Sequence, residues 1–178
     1  MATIIGDISQ IDNKGEQVFF SALESYLDDS YVVYWNRELY GREFDVCILI
    51  PDIGICVVEV KGWHEDTVLE VPQGETILIN TIYGPQTHNP RKQARAYRYS
   101  VANHIRSRLG KQPAVFHMVC YPFIKNKVFL EKQMDLVSEP EITFLAEDLL
   151  DQSSFLRKLN SAIELNRYSG RNQVTHEL

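Results

Sequence analysis

Apolar positions along this chain form two kinds of pattern, some at helical spacing and some in nearly unbroken runs. Phe19, Phe20, Leu23 and Leu27 recur with the helical period and predict a helix over residues 14–27. Asn13 stands before it as an N-cap, and Glu16 follows three residues on, where a capping-box acid would sit. Residues 31–35 read as a short strand. Residues 44–50 and 55–60 are apolar on both faces, which predicts central strands covered on two sides. Pro51-Asp52-Ile53-Gly54 lies between them and predicts a tight antiparallel hairpin.

Beyond the hairpin the pattern is weaker. Residues 67–71 and 76–82 predict a second, less buried hairpin around Gln73-Gly74. A helix is expected over residues 90–109, with Asn89 as cap, Pro90 in the first turn and Gly110 as the stop. Residues 114–121 are apolar enough for a central strand, and 142–145 form a short strand candidate. A last helix over 154–166 would turn Phe155, Leu159 and Ile163 inward. No repeat, low-complexity tract or linker interrupts the chain. The order predicts an α/β fold of the mixed α+β kind, with a central mixed β-sheet flanked by helices. The 178 residues suit one domain, with its core over about residues 13–166.

Three ionisable residues interrupt the buried hairpin: Asp45, Glu59 and Lys61. Charges in central strands are costly to desolvate unless they are paired or hold a metal. Alternation puts Ile55, Val57, Glu59 and Lys61 on one face of their strand, and Asp45, Cys47 and Leu49 on one face of theirs. Two hard carboxylates suit Mg²⁺, and a lysine beside them suits developing negative charge on a phosphate. This kit works only if Asp45 and Glu59 face the same way. Their paired numbers must then sum to an even value, which needs an odd loop such as residues 51–53, or a bulge. The plainer alternative is an Asp45–Lys61 ion pair at the strand ends, with Glu59 paired elsewhere.

Charge sharpens this picture. The net charge of −6 at first argues against a nucleic-acid partner, but the average hides segregation. Between Thr76 and Leu130 there is no Asp or Glu, yet nine of the 18 basic residues fall there: Arg91, Lys92, Arg95, Arg98, Arg106, Arg108, Lys111, Lys125 and Lys127. A solvated helix face explains that stretch as well as a phosphate-binding one does. The three cysteines, Cys47, Cys56 and Cys120, sit in apolar runs without metal-type spacing, so packing is their expected role. There is no apolar run long enough to span a membrane and no basic, apolar leader at the N-terminus. A reducing cytoplasm is the expected location.

Glu43-Phe44-Asp45, followed by a hairpin into Val58-Glu59-Val60-Lys61-Gly62, resembles the PD-(D/E)xK nuclease superfamily, and within it the NERD group, the nuclease-related domain. The resemblance runs from about Gly15 to Leu109. It includes Gly15-Glu16 at the start of the first helix, Asn89-Pro90, and Gln93-Ala94-Arg95-Ala96-Tyr97, a Gln-Ala-x-x-Tyr pattern. Phe44 stands where the superfamily name has proline. The resemblance implies a restriction-endonuclease-like core and a Mg²⁺ or Mn²⁺ site that cleaves nucleic-acid phosphodiesters. Asp45 and Glu59 would hold the metal and Lys61 would be the catalytic lysine. Glu16 would be an accessory acid, and Gln93 a polar group reaching in from the second helix. Such domains often sit beside helicase or kinase-like modules in longer proteins.

Each supporting residue also has a simpler role. Glu16 can cap its own helix, Gln93 can be a first-turn polar residue, and Tyr97 can be core. Arg91, Lys92, Arg95, Arg98 and Arg106 lie on or near a stripe that could hold phosphates without reading sequence. His64 and His88 lie near the expected ends of site elements, where each could assist but a plain surface histidine is the favoured reading, and Trp63 either stacks on a base or covers the core. The expected function is a metal-dependent endo- or exonuclease acting on DNA. A non-catalytic nucleic-acid-binding module of the same fold, and an RNA or small-molecule phosphodiesterase, are the rivals.

Overall fold

A computed structural model describes residues 1–6, 11–39, 42–110 and 114–174, with side chains described for all but 36–39, 42 and 167–174. Lys111 therefore lies outside the described residues. The central sheet has six strands in the order β1-β2-β3-β4-β8-β9: β1 is Thr3–Ile5, β2 Val32–Leu39, β3 Arg42–Ile50, β4 Gly54–Val60, β8 Val115–Cys120 and β9 Thr143–Phe144. β2, β3 and β4 are antiparallel neighbours, whereas β1 runs parallel to β2, β8 to β4, and β9 to β8. The sheet is thus mixed, as expected. A second sheet joins β5 (Val68–Glu70), β6 (Ile77–Thr81) and β7 (Gly84–His88).

Four helices complete the described fold: α1 (Lys14–Tyr26), α2 (Pro90–Leu109), α3 (Asn126–Glu131) and α4 (Gln152–Val174). α1 begins at Asn13, whose side chain accepts from the Gly15 N–H at 2.9 Å. α2 begins at Asn89, whose side chain accepts from the Lys92 N–H at 2.8 Å, and ends at the left-handed Gly110. None of the described helices is long and apolar enough to cross a membrane.

β3 and β4 are the middle of the large sheet, and both their faces are covered. Val46, Ile48, Ile50, Cys56, Val58, Phe116 and Met118 form one face, packed with Phe19, Phe20 and Leu23 of α1 and Phe155, Leu159 and Ile163 of α4. The Phe144 ring is 5.4 Å from Phe19 and 4.9 Å from Phe155, so β9 joins the two helices through aromatic contact. On the other face Cys47, Val57 and Val115 pack with Val101, Tyr97 and Ile105 of α2. A third cluster joins the small sheet to this layer through Val68, Ile77, Ile79, Ala94, Val119 and Tyr121. All three cysteines are buried free thiols.

Three elements have no counterpart in the sequence pattern: β1, β7 and α3. β1 is three residues long and is held by its parallel neighbour. Gly84-Pro85-Gln86-Thr87-His88 has no apolar alternation, and only backbone pairing with β6 makes it a strand. β2 and α4 also run further than their apolar patterns, to Leu39 and Val174.

Candidate active site

The β3–β4 hairpin sets the site by its register. Ile50 pairs with Gly54 across the three-residue loop 51–53, and the ladder continues to Val46 opposite Val58. Each pair has an even sum, and that phase, continued past the last pair, would put Asp45 and Glu59 on the α2 side of the sheet together. Side chains directly opposite on an antiparallel pair have Cβ atoms about 5 Å apart. Asp52 takes the left-handed conformation (φ 57°) that lets so short a loop close.

Asp45 is half-buried and its Oδ2 accepts the Val60 N–H at 2.7 Å. Glu59 is only 2% exposed. Its Oε1 meets the Lys61 Nζ at 2.5 Å, while Oε2 is buried with no hydrogen-bond partner among the described residues. The ion pair is therefore Glu59–Lys61, and the simpler pairing of Asp45 with Lys61 is not formed. Burial, then the Asp45 charge, push the Glu59 carboxyl up to about 7 against the pull of Lys61. Burial also raises Asp45, against the Val60 N–H and Lys61.

Glu16 reaches the same place from α1. Gly15 and Gly62 touch backbone to backbone: a Cβ on Gly15 would lie 2.4 Å from the Gly62 Cα. That contact sets the first turn of α1 against the chain leaving β4. Burial and then Asp45 push the Glu16 carboxyl up to about 7, while Lys61 and the Asn13 side chain oppose the shift. Three carboxyls and one lysine thus share a single electrostatic neighbourhood.

A divalent cation fits this donor set. The bare Glu59 Oε2 and the second oxygen of Asp45 are hard ligands, and a cation would remove the repulsion that raises the carboxyls. No group of three or more His, Cys, Asp and Glu forms a ready metal cage among the described residues. An ion held by two carboxylates and completed by water is the arrangement the chemistry allows, as is usual for Mg²⁺.

The family match covers residues 11–122, the nuclease-related domain. This chain belongs to the NERD family. The searches of curated proteins and of solved structures found no match. The NERD match spans α1, both hairpins, α2 and β8, so it contains all of the residues just described.

The remaining expected residues of this NERD domain are distributed unevenly. Gln93 is half-buried in the first turn of α2, and among the described residues no hydrogen bond ties its side chain to the carboxyls. Arg91 is ion-paired with Glu139, so it is not a free phosphate ligand. Lys92 and Arg95 are exposed, and Arg98 is half-buried. The guanidiniums of Arg95 and Arg98 lie over the Tyr99 ring, each 5.8 Å from its centroid. Arg106 is exposed in the last turn, far along the helix from Gln93.

Two histidines stand out that sequence reasoning undervalued. His88 is half-buried, and its Nε2 has no partner among the described residues. Its ring lies 5.4 Å from Trp63, which in turn lies 5.8 Å from Tyr121. Burial, and then the Lys61 charge, lower its pKa, so the end of β7 adjoins the site. Trp63, partly buried, thus packs against the cluster under the small sheet. His117, on β8 beneath α2, is lowered to about 4 by burial and by Arg98, Arg91 and Arg95. Neither a histidine that ends the polar run 84–88 nor one inside the apolar run 115–120 carries a sequence signal for its environment.

Proposed function

We propose that this NERD domain hydrolyses nucleic-acid phosphodiesters, with DNA as substrate and Mg²⁺ or Mn²⁺ held by Asp45 and Glu59. The buried, unpartnered Glu59 Oε2 is the observation that carries the proposal. A carboxylate oxygen is kept dry and unpaired at a cost, and a bound cation would offset it. When bound, the metal supplies Lewis acidity to a phosphate oxygen and to water.

The protein residues supply the rest. Glu59 holds the Lys61 ammonium beside the carboxylates, where it can stabilise charge as the phosphorus–oxygen bond to the sugar breaks. Glu16, with its proton balanced near neutral pH, can exchange a proton with water or with the leaving alkoxide. Gln93, half-buried in the first turn of α2, would orient substrate. The buried thiols suit a reducing compartment such as the cytoplasm.

The deciding assay incubates circular and linear DNA with Mg²⁺ or Mn²⁺ and compares wild type with Lys61→Ala. Cleavage should require the metal and fall by on the order of 10²–10³-fold in the variant, the scale for losing one electrostatic group. Cleavage that survives Lys61→Ala defeats the assignment. Salt-sensitive binding without cleavage would favour a binding module instead. Lys92 and Arg95 should act on affinity alone. Their double alanine variant should lower the slope of log K against log salt by about 2 on duplex DNA, equally for all sequences.

A further inference from the structure

The β6–β7 hairpin turns through Ile82 and Tyr83, between the paired residues Thr81 and Gly84. Tight turns normally place glycine, asparagine, aspartate or proline at their centre. Here two large apolar side chains stand there, 91% and 86% exposed. Such a break with local turn chemistry, without packing in return, is the mark of a functional surface. The turn is also held firmly. Thr81 Oγ1 donates to the Gly84 carbonyl at 2.8 Å and accepts the Tyr83 N–H at 3.1 Å, and Gly84 takes the left-handed conformation (φ 97°). Ile77 and Ile79 anchor the hairpin in the core below.

The hairpin leads from the site. β7 ends at His88, whose ring lies 5.4 Å from that of Trp63, two residues beyond Lys61. The five residues of β7 span about 15 Å at about 3.3 Å each. That is four to five base steps at about 3.4 Å each.

We propose that Ile82 and Tyr83 form a stacking tip that engages an unpaired base of the nucleic-acid strand leading into the Asp45–Glu59–Lys61 site. This rests on nucleic acid being the ligand of that site. Two side chains are too small a patch for a protein interface, which needs about 800 Å² on each partner. They suffice for one stacked base, because every base offers a π-face and aromatic platforms bind it without sequence preference. Charge agrees: the hairpin lies in the stretch from Thr76 to Leu130 that has no acidic residue, so nothing on it repels phosphates.

The test measures fluorescence anisotropy with labelled single-stranded and duplex oligonucleotides of about 20 nucleotides, in EDTA, for the full chain. Tyr83→Ala should weaken single-strand binding by about 5-fold or more, leave duplex binding unchanged, and be rescued by Tyr83→Phe. Wild-type affinity in Tyr83→Ala, equal loss in Tyr83→Phe, or no binding by wild type overturns the proposal. So does binding to phosphatidylcholine–phosphatidylserine vesicles in place of the strand. The Lys61-dependent cleavage assay is separate. Stacking without cleavage defeats the nuclease activity alone, and cleavage with Tyr83→Ala binding normally defeats the tip alone.

Discussion

Glu59→Gln is expected to reduce phosphodiester cleavage by on the order of 10³-fold and, in EDTA above about pH 7, to raise the melting temperature. Both effects have the same origin. Glu59 is buried, feels the Asp45 charge, and keeps one oxygen without a partner among the described residues. Its carboxyl is pushed from 4.5 up to about 7 in the fold. The folded chain therefore binds the proton more tightly than the unfolded chain does. The stability this contributes is fully present below about pH 4.5 and is lost as pH rises through about 7. Glutamine copies the neutral form and does not ionise.

The difference in melting temperature between variant and wild type should thus be small in acid and grow positive through neutral pH. The size is about 1–3 kcal/mol at high pH, or some 2–10 °C for a chain of this length. Loss of the Lys61 pair offsets only part of it, because the lysine keeps Asp45 and Glu16 as carboxylate neighbours. Adding Mg²⁺ at pH 8 should stabilise wild type by mass action and leave the variant unmoved. A temperature difference that is flat with pH, or a variant that Mg²⁺ still stabilises, would remove Glu59 from the metal site. In wild type, cleavage at limiting metal should rise with pH through about 7, as Glu59 and Glu16 lose their protons.

The centre of the site was legible because buried charges break an apolar pattern. Asp45, Glu59 and Lys61 could be seen as intruders in two central strands, and strand alternation then required an even register. The three-residue loop delivers it, with Ile50 opposite Gly54. Both helix starts were legible for a similar reason, since Asn13 and Asn89 are local caps. The rest depends on distant contacts. β7 lacks any apolar alternation, so neither its pairing nor the burial of His88 beside Lys61 could be read from residues 84–88. Arg91 reads as one more basic group of the stripe, and its ion pair with Glu139, 48 positions on, leaves no mark on the local sequence. A stripe of charge on a helix shows the helix face but not what packs against it.

The approach of α1 to β4 was the other hidden contact, and it supports the second large effect: Gly15→Ala should destabilise the fold and weaken the site. Residue 15 lies in the first turn of α1, where alanine is the better helix former by up to about 1 kcal/mol. Propensity alone therefore predicts a gain. Sterics oppose it, because the new Cβ would meet the Gly62 Cα at 2.4 Å and the Gly62 nitrogen at 3.0 Å. Both are backbone atoms of the chain just leaving a central strand and cannot swing aside as a side chain would. Overpacking of this kind costs about 1–3 kcal/mol and sometimes more, so the clash outweighs the propensity gain. The melting temperature should fall by roughly 2–10 °C. Relief requires α1 to lift from β4, carrying Glu16 away from Asp45 and Lys61, so cleavage should fall even where the protein remains folded. Gly62→Ala should be milder, since its Cβ would first meet the Asn13 Oδ1 at 2.6 Å, a side-chain atom that can rotate at the expense of the helix cap. An unchanged or higher melting temperature in Gly15→Ala would mean that α1 does not rest on β4 through this glycine pair.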